Sequence, residues 1–507
     1  MTRPRDLAIA LSLANICFLE AWAHLVGLPG ALEGRAPAGI DFAGIMVAVG
    51  VTAAAFFSGA RVARRLGGVW LAGARLLVVM ALAIPVGAFI RTKYESCGVA
   101  CFAAFLREYR ITLTFGCVVL LAGVLLFRGV LWRVIRSLLL FALPFVVITF
   151  GQAVVGMVRA PWLPMTPPLG LPPPAGAHPT ARVVWLIFDE LDERILFRER
   201  PSSLNAAEFD RLRASALSAD NAYPPGPETI ISIPGLMTGR LFKSVGFDRQ
   251  GLRFEAPGAG TLGWDELPTV FARARAAGHD VRALGWVFPY CNLLAPQLSF
   301  CMYRPPYFGI YSHDPSPTLI RSAAAYLASL LPWNQHRLHL RDFTELLGAA
   351  REVVGDARPG LVYVHLPVPH PPPIFDRSTG QTTVFNFADI NGYFDNVALA
   401  DRTLGEIRGA MEATGAWDRS TIIVSSDHFW RDSKRLEGRG DHRIPFLLKP
   451  ADSHAALVYA NPFNTVLTGD IVLAILNGDI TDVEAAAAWL DAHRTTADYP
   501  YYDSAAH

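Results

Sequence analysis

Five apolar segments, each about as long as a membrane-spanning helix, occupy the first third of the chain. They are Leu7–Leu28, Phe42–Ala60, Val69–Ile90, Ile111–Phe127 and Ser137–Val158. A helix needs roughly 20 residues to cross the hydrocarbon core of a bilayer. A cleaved signal peptide does not explain the pattern, because four more apolar segments follow the first. The sequence therefore predicts an N-terminal five-helix transmembrane bundle over residues 1–158.

After the apolar segments, the pattern changes twice. Residues 159–181 contain eight prolines, which is typical of a stiff, extended linker. From residue 182, Val/Ile-rich runs alternate with amphipathic stretches. The predicted buried strands are Val183–Phe188, Leu361–Leu366 and Thr421–Ser425, and the predicted helices are Glu266–Ala277, Tyr393–Thr414 and Asp482–His493. This alternation predicts that residues 182–507 form an α/β domain with a mostly parallel sheet flanked by helices.

Composition and charge place the chain at a membrane. Hydrophobic residues make up 52% of the sequence, and the net charge of +1 gives no electrostatic indication of nucleic-acid binding. Basic residues are more numerous at the N-terminus and in the second and fourth loops than in the first and third. The positive-inside rule then orients the N-terminus towards the cytoplasm. An odd number of spans predicts a multi-pass protein of the cytoplasmic (inner) membrane, with residues 182–507 on the extracytoplasmic, periplasmic side.

Two closely spaced cysteine pairs lie outside the apolar segments. Cys97 and Cys101 are in one predicted loop, and Cys291 and Cys301 are in the α/β part. Such pairs are compatible with disulfides in an oxidising compartment, and free thiols are the alternative.

Polar residues capable of catalysis form four blocks, three of which lie at the ends of predicted strands. Asp189 and Glu190 end the first strand, and His365 and His370 lie at the end of the second. Asp427 and His428 follow the third, and His442 precedes a further apolar run. Open α/β sheets bind their ligands at the carboxyl ends of strands, and acids with histidines coordinate divalent cations.

The remaining block is a hydroxyl residue ahead of a helix-like turn. Thr229 opens a segment that ends in Thr238-Gly239-Arg240. At a helix N-terminus, Thr229 could be a nucleophile beside a bound phosphate, or it could only cap the helix.

In their order along the chain, with the Thr229 block second, the four blocks resemble the sulfatase-like branch of the alkaline phosphatase superfamily. With the preceding spans, the chain resembles membrane-bound phosphoethanolamine transferases and phosphoglycerol transferases of the lipoteichoic acid synthase type. The resemblance implies that Thr229 is the catalytic nucleophile and that one or two divalent ions, Zn²⁺ or Mn²⁺, are bound. The implied metal ligands are Asp189, Thr229, Asp427 and His428, with Glu190 and His442 as further candidates, and the implied substrate-binding residues are His365, His370 and His442. One residue departs from the family pattern, because Phe429 stands where glycine usually follows Ser-Asp-His.

The implied reaction is the transfer of a phosphoryl group or phospho-headgroup from a membrane lipid donor to an envelope glycan or lipid acceptor. A membrane-anchored phosphodiesterase or phosphatase is the main alternative. Sulfate ester hydrolysis is disfavoured, because sulfatases of this superfamily use a cysteine or serine that is converted to formylglycine, which threonine cannot form. A catalytically inactive sensing module is the remaining hypothesis.

Overall fold

The computed structural model describes residues 3–27, 37–93, 128–163, 170–174, 181–248, 251–305, 317–331, 333–436 and 438–494. The chain forms two compact units. One unit contains the N-terminal helices and the later helix Leu319–Ser329. The other contains the remaining described residues from Gly170 onwards.

The N-terminal helices largely follow the predicted apolar segments. In the described part of the chain they are α1 (Arg3–Cys17), α2 (Leu19–Gly27), α3 (Gly39–Leu66), α4 (Gly68–Lys93), α5 (Arg128–Phe141) and α6 (Leu143–Arg159). Two stretches, Gly39–Leu66 and Gly129–Arg159, are long and apolar enough to cross a membrane. The first predicted span is divided into two helices at Phe18, and the predicted span Ile111–Phe127 lies outside the described residues. A five-helix bundle therefore stays a proposal, whereas the N-terminal apolar helices are observed.

The second unit is built on a nine-stranded sheet. The strands among the described residues are β1 (Val183–Phe188), β2 (Leu217–Tyr223), β3 (Ser244–Asp248), β4 (Gly251–Ala256), β5 (Gly260–Gly263), β6 (Val281–Trp286), β7 (Phe300–Arg304), β8 (Leu361–Leu366), β9 (Phe375–Asp376), β10 (Gln381–Thr382), β11 (Thr421–Ser426), β12 (Ile444–Lys449), β13 (Leu457–Tyr459) and β14 (Phe463–Asn464). The large sheet has the order β13-β2-β12-β11-β1-β8-β6-β7, and β14 also pairs with β2. Only the pairings of β12 with β11 and with β2 are antiparallel in this sheet. The predicted α/β class with a mostly parallel sheet is confirmed.

The three predicted strands form the centre of the sheet. β1 and β8 have the predicted bounds, and β11 extends one residue further, to Ser426. All residues of these strands are buried, because β1 has a hydrogen-bonded neighbour on each side and helices cover both faces of such a sheet. Uninterrupted Val/Ile-rich runs are the pattern that this environment favours.

The helices that follow the N-terminal region are α7 (Ala207–Arg213), α8 (Thr229–Thr238), α9 (Val270–Ala276), α10 (Tyr290–Leu294), α11 (Leu319–Ser329), α12 (Asn334–Gly355), α13 (Ile390–Glu412), α14 (Thr468–Asn477) and α15 (Val483–His493). The three predicted helices correspond to α9, α13 and α15. Helix α13 begins three residues earlier than predicted, because the Asp389 side chain accepts a hydrogen bond from the Gly392 N–H and caps the helix.

Helix α11 packs within the N-terminal unit, although the sequence boundaries place it in the 182–507 domain. Its Ser322 hydroxyl donates to the carbonyl of Ile40 in α3 at 3.3 Å. A Cβ atom on Gly44 would lie 2.1 Å from the Ser322 hydroxyl, so the glycine permits this close approach. Tyr326 is fully buried in a cluster with apolar residues of α1, α2 and α3. The N-terminal unit therefore includes a helix that begins more than 250 residues after the end of α3.

Candidate active site

The register of the central strands brings two carboxylates side by side. Phe188 of β1 pairs with Ser426 of the parallel strand β11, so the next residues, Asp189 and Asp427, leave the sheet at the same edge. On the other side of β1, Ile187 pairs with His365 of β8. The three side chains are fully buried, and one ligand atom from each lies within 4.8 Å of the others. Three adjacent strands thus form an Asp–His–Asp cluster with the spacing of a metal site.

Thr229 reaches this cluster from helix α8, which follows β2. Its hydroxyl lies 2.7 Å from Asp427 Oδ2 and 3.5 Å from Asp189 Oδ2. It is also 3.3 Å from His428 Nε2. Thr229 is the first residue of the helix, and the N-cap position belongs to Glu228. The capping alternative is therefore excluded, since the hydroxyl faces the carboxylates instead of a backbone N–H of the first turn.

Helix α8, which carries Thr229, is hydrogen-bonded to Asp427, the residue that follows β11. The Ser232 hydroxyl, one turn into α8, donates to the backbone carbonyl of Asp427. The positive end of the helix dipole points towards the carboxylates, an arrangement that favours negative charge at this position. Thr229 is only 8% exposed, so the residue is almost entirely buried in the site.

His428 directs an electron pair into the same space. Its Nδ1 lies 2.9 Å from the carbonyl of Phe429 and therefore carries the proton of the neutral ring. The other ring nitrogen, Nε2, is 3.5 Å from Asp427 Oδ2 and 3.7 Å from Asp189 Oδ1. Burial, followed by the charge of Arg431, lowers the pKa of His428 to about 4, so the ring is neutral at pH 7. A lone pair and two carboxylates converge here with no positive charge between them.

Unsatisfied polar atoms show what the cluster can accept. Within the cluster, Asp189 Oδ1 and His365 Nε2 are buried without a hydrogen-bond partner, and so is Oε2 of the neighbouring Glu190. Burial raises the pKa of Asp189 well above its ordinary value, and the neighbouring Asp427 and Glu190 raise it further. Burial also raises the pKa of Asp427. A bound cation would satisfy the two atoms of the cluster and offset the repulsion, and nitrogen and oxygen donors suit Zn²⁺ or Mn²⁺. The residues present therefore fit a divalent ion.

His365 belongs to this cluster, although the sequence analysis assigned it to substrate binding. Its Nδ1 is 2.8 Å from the hydroxyl of Tyr290, which orients the ring and leaves Nε2 facing Asp189 at 3.5 Å. Burial lowers the pKa of His365 to about 4. A neutral imidazole held by a hydrogen bond at its far nitrogen is typical of a metal ligand.

Glu190, a candidate metal ligand in the sequence analysis, pairs with Arg431 and is not among the three residues whose ligand atoms cluster. Its Oε1 accepts from Arg431 Nε at 2.7 Å. Its backbone has φ of +66°, in the left-handed region that a glutamate rarely adopts. The backbone N–H of Glu190 reaches Asp427 Oδ1 at 3.2 Å, and its carbonyl accepts from the Tyr393 hydroxyl at 2.7 Å. These contacts hold the unusual conformation, which turns the two successive acids in different directions.

His370 and His442 lie beside the cluster and not within it. His370 Nδ1 is 2.6 Å from the carbonyl of Pro371, and its Nε2 accepts from Arg431 Nη2 at 3.1 Å. His442 packs against Phe429, with ring centroids 4.4 Å apart. Because β12 runs antiparallel to β11, the residues before β12 return to the edge where β11 ends. Phe429 itself is 8% exposed and packs into the core, so the departure from the family's glycine fills space next to His442.

Two contributors, Tyr290 and Arg431, were not singled out as site residues from the sequence. Tyr290 lies among several other aromatic residues, and its sequence context does not distinguish it from them. Arg431 follows Ser-Asp-His by three positions, and nothing local distinguishes it from other loop arginines.

The second cysteine pair of the sequence analysis forms a disulfide. Cys291 in α10 is bonded to Cys301 in β7. Cys97 and Cys101 lie outside the described residues.

One family model and several solved structures are similar to the chain. The family model described as Sulfatase matches residues 183–491. No curated protein matches the chain at a significant level. Among solved structures, the chain is similar to Ps i-CgsB in complex with k-i-k-neocarrahexaose, with 15% identity, a TM-score of 0.44, and coverage of 61% of this chain and 76% of that one. It is also similar to the phosphonate monoester hydrolase of Agrobacterium radiobacter, with 14% identity, a TM-score of 0.38, and coverage of 59% and 74%.

A third similar structure is a protein of the alkaline phosphatase superfamily from Vibrio parahaemolyticus, with 13% identity, a TM-score of 0.38, and coverage of 60% of this chain and 68% of that one. The family match spans every candidate site residue from Asp189 to His442. The expected resemblance to the sulfatase-like branch is thereby confirmed, and the chain belongs to the sulfatase family.

Proposed function

We propose that this chain is a membrane-anchored, metal-dependent enzyme that cleaves phosphate esters with Thr229 as the nucleophile and passes the phosphoryl group or phospho-headgroup to an acceptor. The observation that carries the proposal is the position of the Thr229 hydroxyl, 2.7 Å from Asp427 Oδ2 and 3.5 Å from Asp189 Oδ2 in a buried cluster. A hydroxyl so placed at a helix N-terminus is suited to attack a bound anionic ester.

The residues that would hold the metal are Asp189, His365, Asp427 and His428, with Thr229 beside them. A divalent ion bound there supplies Lewis-acid chemistry, which lowers the pKa of a nearby hydroxyl and stabilises negative charge on phosphoryl oxygens. We propose a single ion, since Glu190 is occupied by Arg431 and the described residues form one cluster with metal-site spacing.

The chain's own residues account for the proton and for orientation. The Thr229 hydroxyl donates to Asp427 Oδ2, so its proton has an acceptor 2.7 Å away when the oxygen attacks phosphorus. A new Thr229 O–P bond forms as the ester bond to the leaving group breaks. The leaving oxygen takes up one proton. In the second half, an acceptor hydroxyl loses its proton as it attacks the same phosphorus, the Thr229 O–P bond breaks, and the Thr229 oxygen regains a proton.

Threonine at this position favours phosphate over sulfate chemistry. Formylglycine forms from cysteine or serine, and the extra methyl group of Thr229 prevents that conversion. A direct alkoxide attack is then the available route, and phosphoryl groups are suited to such a displacement.

The membrane part supports a lipid donor. Two stretches of the N-terminal region are able to span a bilayer, which would keep the site near membrane lipids. The disulfide between Cys291 and Cys301 favours an oxidising, extracytoplasmic location for the sulfatase-family domain. On these grounds we propose a multi-pass protein of the cytoplasmic membrane, with a membrane lipid as donor and an envelope glycan or lipid as acceptor.

Water as the acceptor is the second candidate, favoured by membership of a family named for hydrolases. The two reactions share the first half and differ in the product. A transferase yields a modified acceptor, whereas a phosphodiesterase or phosphatase yields free headgroup phosphate.

The test is intact-mass analysis of the metal-loaded, full-length protein after incubation with a membrane lipid extract. We expect a mass adduct on Thr229 that is absent from Thr229→Ala. Thr238→Ala is the matched control, because Thr238 lies at the other end of the same helix and bonds only to the Pro234 carbonyl. An adduct or unchanged turnover in Thr229→Ala would contradict the proposed nucleophile, and product analysis then separates transfer from hydrolysis.

A further inference from the structure

The guanidinium group of Arg431 lies next to the Asp189–His365–Asp427 cluster. Two side chains hold it in place. Its Nε donates to Glu190 Oε1 at 2.7 Å, and its Nη2 donates to His370 Nε2 at 3.1 Å. The side chain is nevertheless 45% exposed. Because these contacts use only part of the guanidinium, further N–H groups remain available to an incoming anion.

Both partners of Arg431 are themselves fixed, so the guanidinium has little freedom. Glu190 is 3% exposed and is held by backbone contacts to Asp427 and Tyr393. His370 carries its proton on Nδ1, which donates to the Pro371 carbonyl, and therefore offers a lone pair at Nε2. Asn396 Nδ2 donates to the His370 carbonyl at 3.0 Å. Such an arrangement pre-orders an arginine before any ligand arrives.

Arg431 also lies close to the Asp189–His365–Asp427 cluster. It follows His428 by three residues, and its partner Glu190 adjoins Asp189 and has its backbone N–H 3.2 Å from Asp427 Oδ1. The guanidinium is therefore close enough to influence the groups around Thr229. A purely structural ion pair between Arg431 and Glu190 would not require the additional hydrogen bond to His370.

We propose that Arg431 binds the anionic phosphoryl oxygens of the substrate and thereby selects phosphate esters that retain a negatively charged oxygen, with Glu190 and His370 as its positioning residues. This inference rests on the proposed function and deepens it. The planar fork of an arginine matches two oxygens of a tetrahedral phosphoryl group, and a pre-ordered cation next to a single metal ion supplies positive charge that a second ion would otherwise supply.

The test is calorimetric titration of inorganic phosphate into the metal-loaded, full-length protein. We expect Arg431→Gln to weaken phosphate binding by roughly 10- to 100-fold, because it removes hydrogen bonds from a charged donor. Arg431→Lys should give an intermediate affinity, since the charge stays and the fork is lost. Arg439→Gln is the matched control: Arg439 is 64% exposed and pairs with Glu199 on the surface.

Glu190→Gln separates a positioning role from a metal-ligand role. The amide oxygen still accepts from Arg431, and a negative charge next to the bound phosphate is lost. We expect phosphate binding that is no weaker than in the unmodified protein, with unchanged metal affinity. A tenfold or larger loss of metal affinity in this variant would overturn the assignment of Glu190 as a partner of Arg431.

The remaining outcomes are also decisive. Phosphate binding by Arg431→Gln at the affinity of the unmodified protein would overturn the proposal. Loss of binding accompanied by a lower unfolding temperature in the absence of phosphate, together with no recovery in Arg431→Lys, would assign Arg431 a structural role and would also overturn it. Thr229→Ala should still bind phosphate, so a failure of the nucleophile and a failure of the anion site are distinguishable.

Discussion

The hydroxyl of Tyr290 offers a way to weaken the metal site without changing a ligand. It lies 2.8 Å from His365 Nδ1, and both side chains are fully buried. Tyr290→Phe keeps the ring, which packs against Phe288 and Tyr363, and removes only the oxygen. The imidazole then loses the hydrogen bond that orients it. Losing such a contact typically lowers metal affinity by roughly 10- to 100-fold.

The expected size of the effect lies at the lower end of that range. The backbone of Trp286 also hydrogen-bonds to His365, so the ring is not released completely, and we expect about a tenfold loss. At a free metal concentration about 100 times the dissociation constant, the ion stabilises the protein by about 2.7 kcal/mol. A tenfold weaker site would reduce this to about 1.4 kcal/mol at the same concentration. The variant should therefore lose about half of the metal-dependent stabilisation.

The assay is the unfolding temperature of the full-length protein, measured over a series of free Zn²⁺ or Mn²⁺ concentrations, with competition against a chelator for the affinity itself. Tyr363→Phe is the matched control. Its hydroxyl is 3.2 Å from that of Tyr290 and belongs to the same buried pair, but it is one step further from His365. Equal metal affinity in Tyr290→Phe and the unmodified protein would refute the idea that His365 is a ligand held in place by Tyr290. An equal loss in both variants would attribute the effect to packing.

Three further predictions concern the sulfatase-family domain. In Gly285→Ala, the added Cβ would lie 2.1 Å from the ring of Tyr290. We therefore expect weaker metal binding, measured by the same chelator competition. In Cys291→Ser, loss of the bond to Cys301 opens a ten-residue loop and should lower the free energy of unfolding by roughly 2–3 kcal/mol, measured as a lower unfolding temperature than in Cys17→Ser. Burial raises the pKa of Asp401 to about 6, so the folded state holds its proton more tightly than the unfolded state. The stabilising contribution of the Asp401 proton is present below about pH 4 and is lost as the pH rises to about 6. In Asp401→Asn, the amide oxygen can still accept from the two α7 N–H groups. This variant should show a smaller decline in unfolding temperature between about pH 4 and about pH 6. A decline as steep as in the unmodified protein would contradict a raised pKa at Asp401.

The sequence by itself determined the central elements and part of the site. Val183–Phe188 and Leu361–Leu366 were predicted with their observed bounds, because an uninterrupted apolar run between polar residues is a local signal. Asp189 and Asp427 could be placed together, since parallel strands bring their carboxyl ends to one edge of a sheet. Thr229 could be proposed as a nucleophile from its motif, but excluding a capping role required the position of its hydroxyl.

Tertiary structure alone decided the direction of the buried polar groups. His365 lies on a strand whose two faces are both buried, so no alternation of polar and apolar residues indicates which face it occupies. Its contacts with Tyr290 and Asp189 place it in the cluster of candidate metal ligands. Glu190 and Asp189 are adjacent in sequence, yet the left-handed backbone of Glu190 directs its carboxylate to Arg431, 241 positions away. Helix α11 has a local amphipathic pattern that predicts a buried face without saying what covers it. Local periodicity fixes the elements, whereas strand order, register and backbone conformation decide which distant side chains meet.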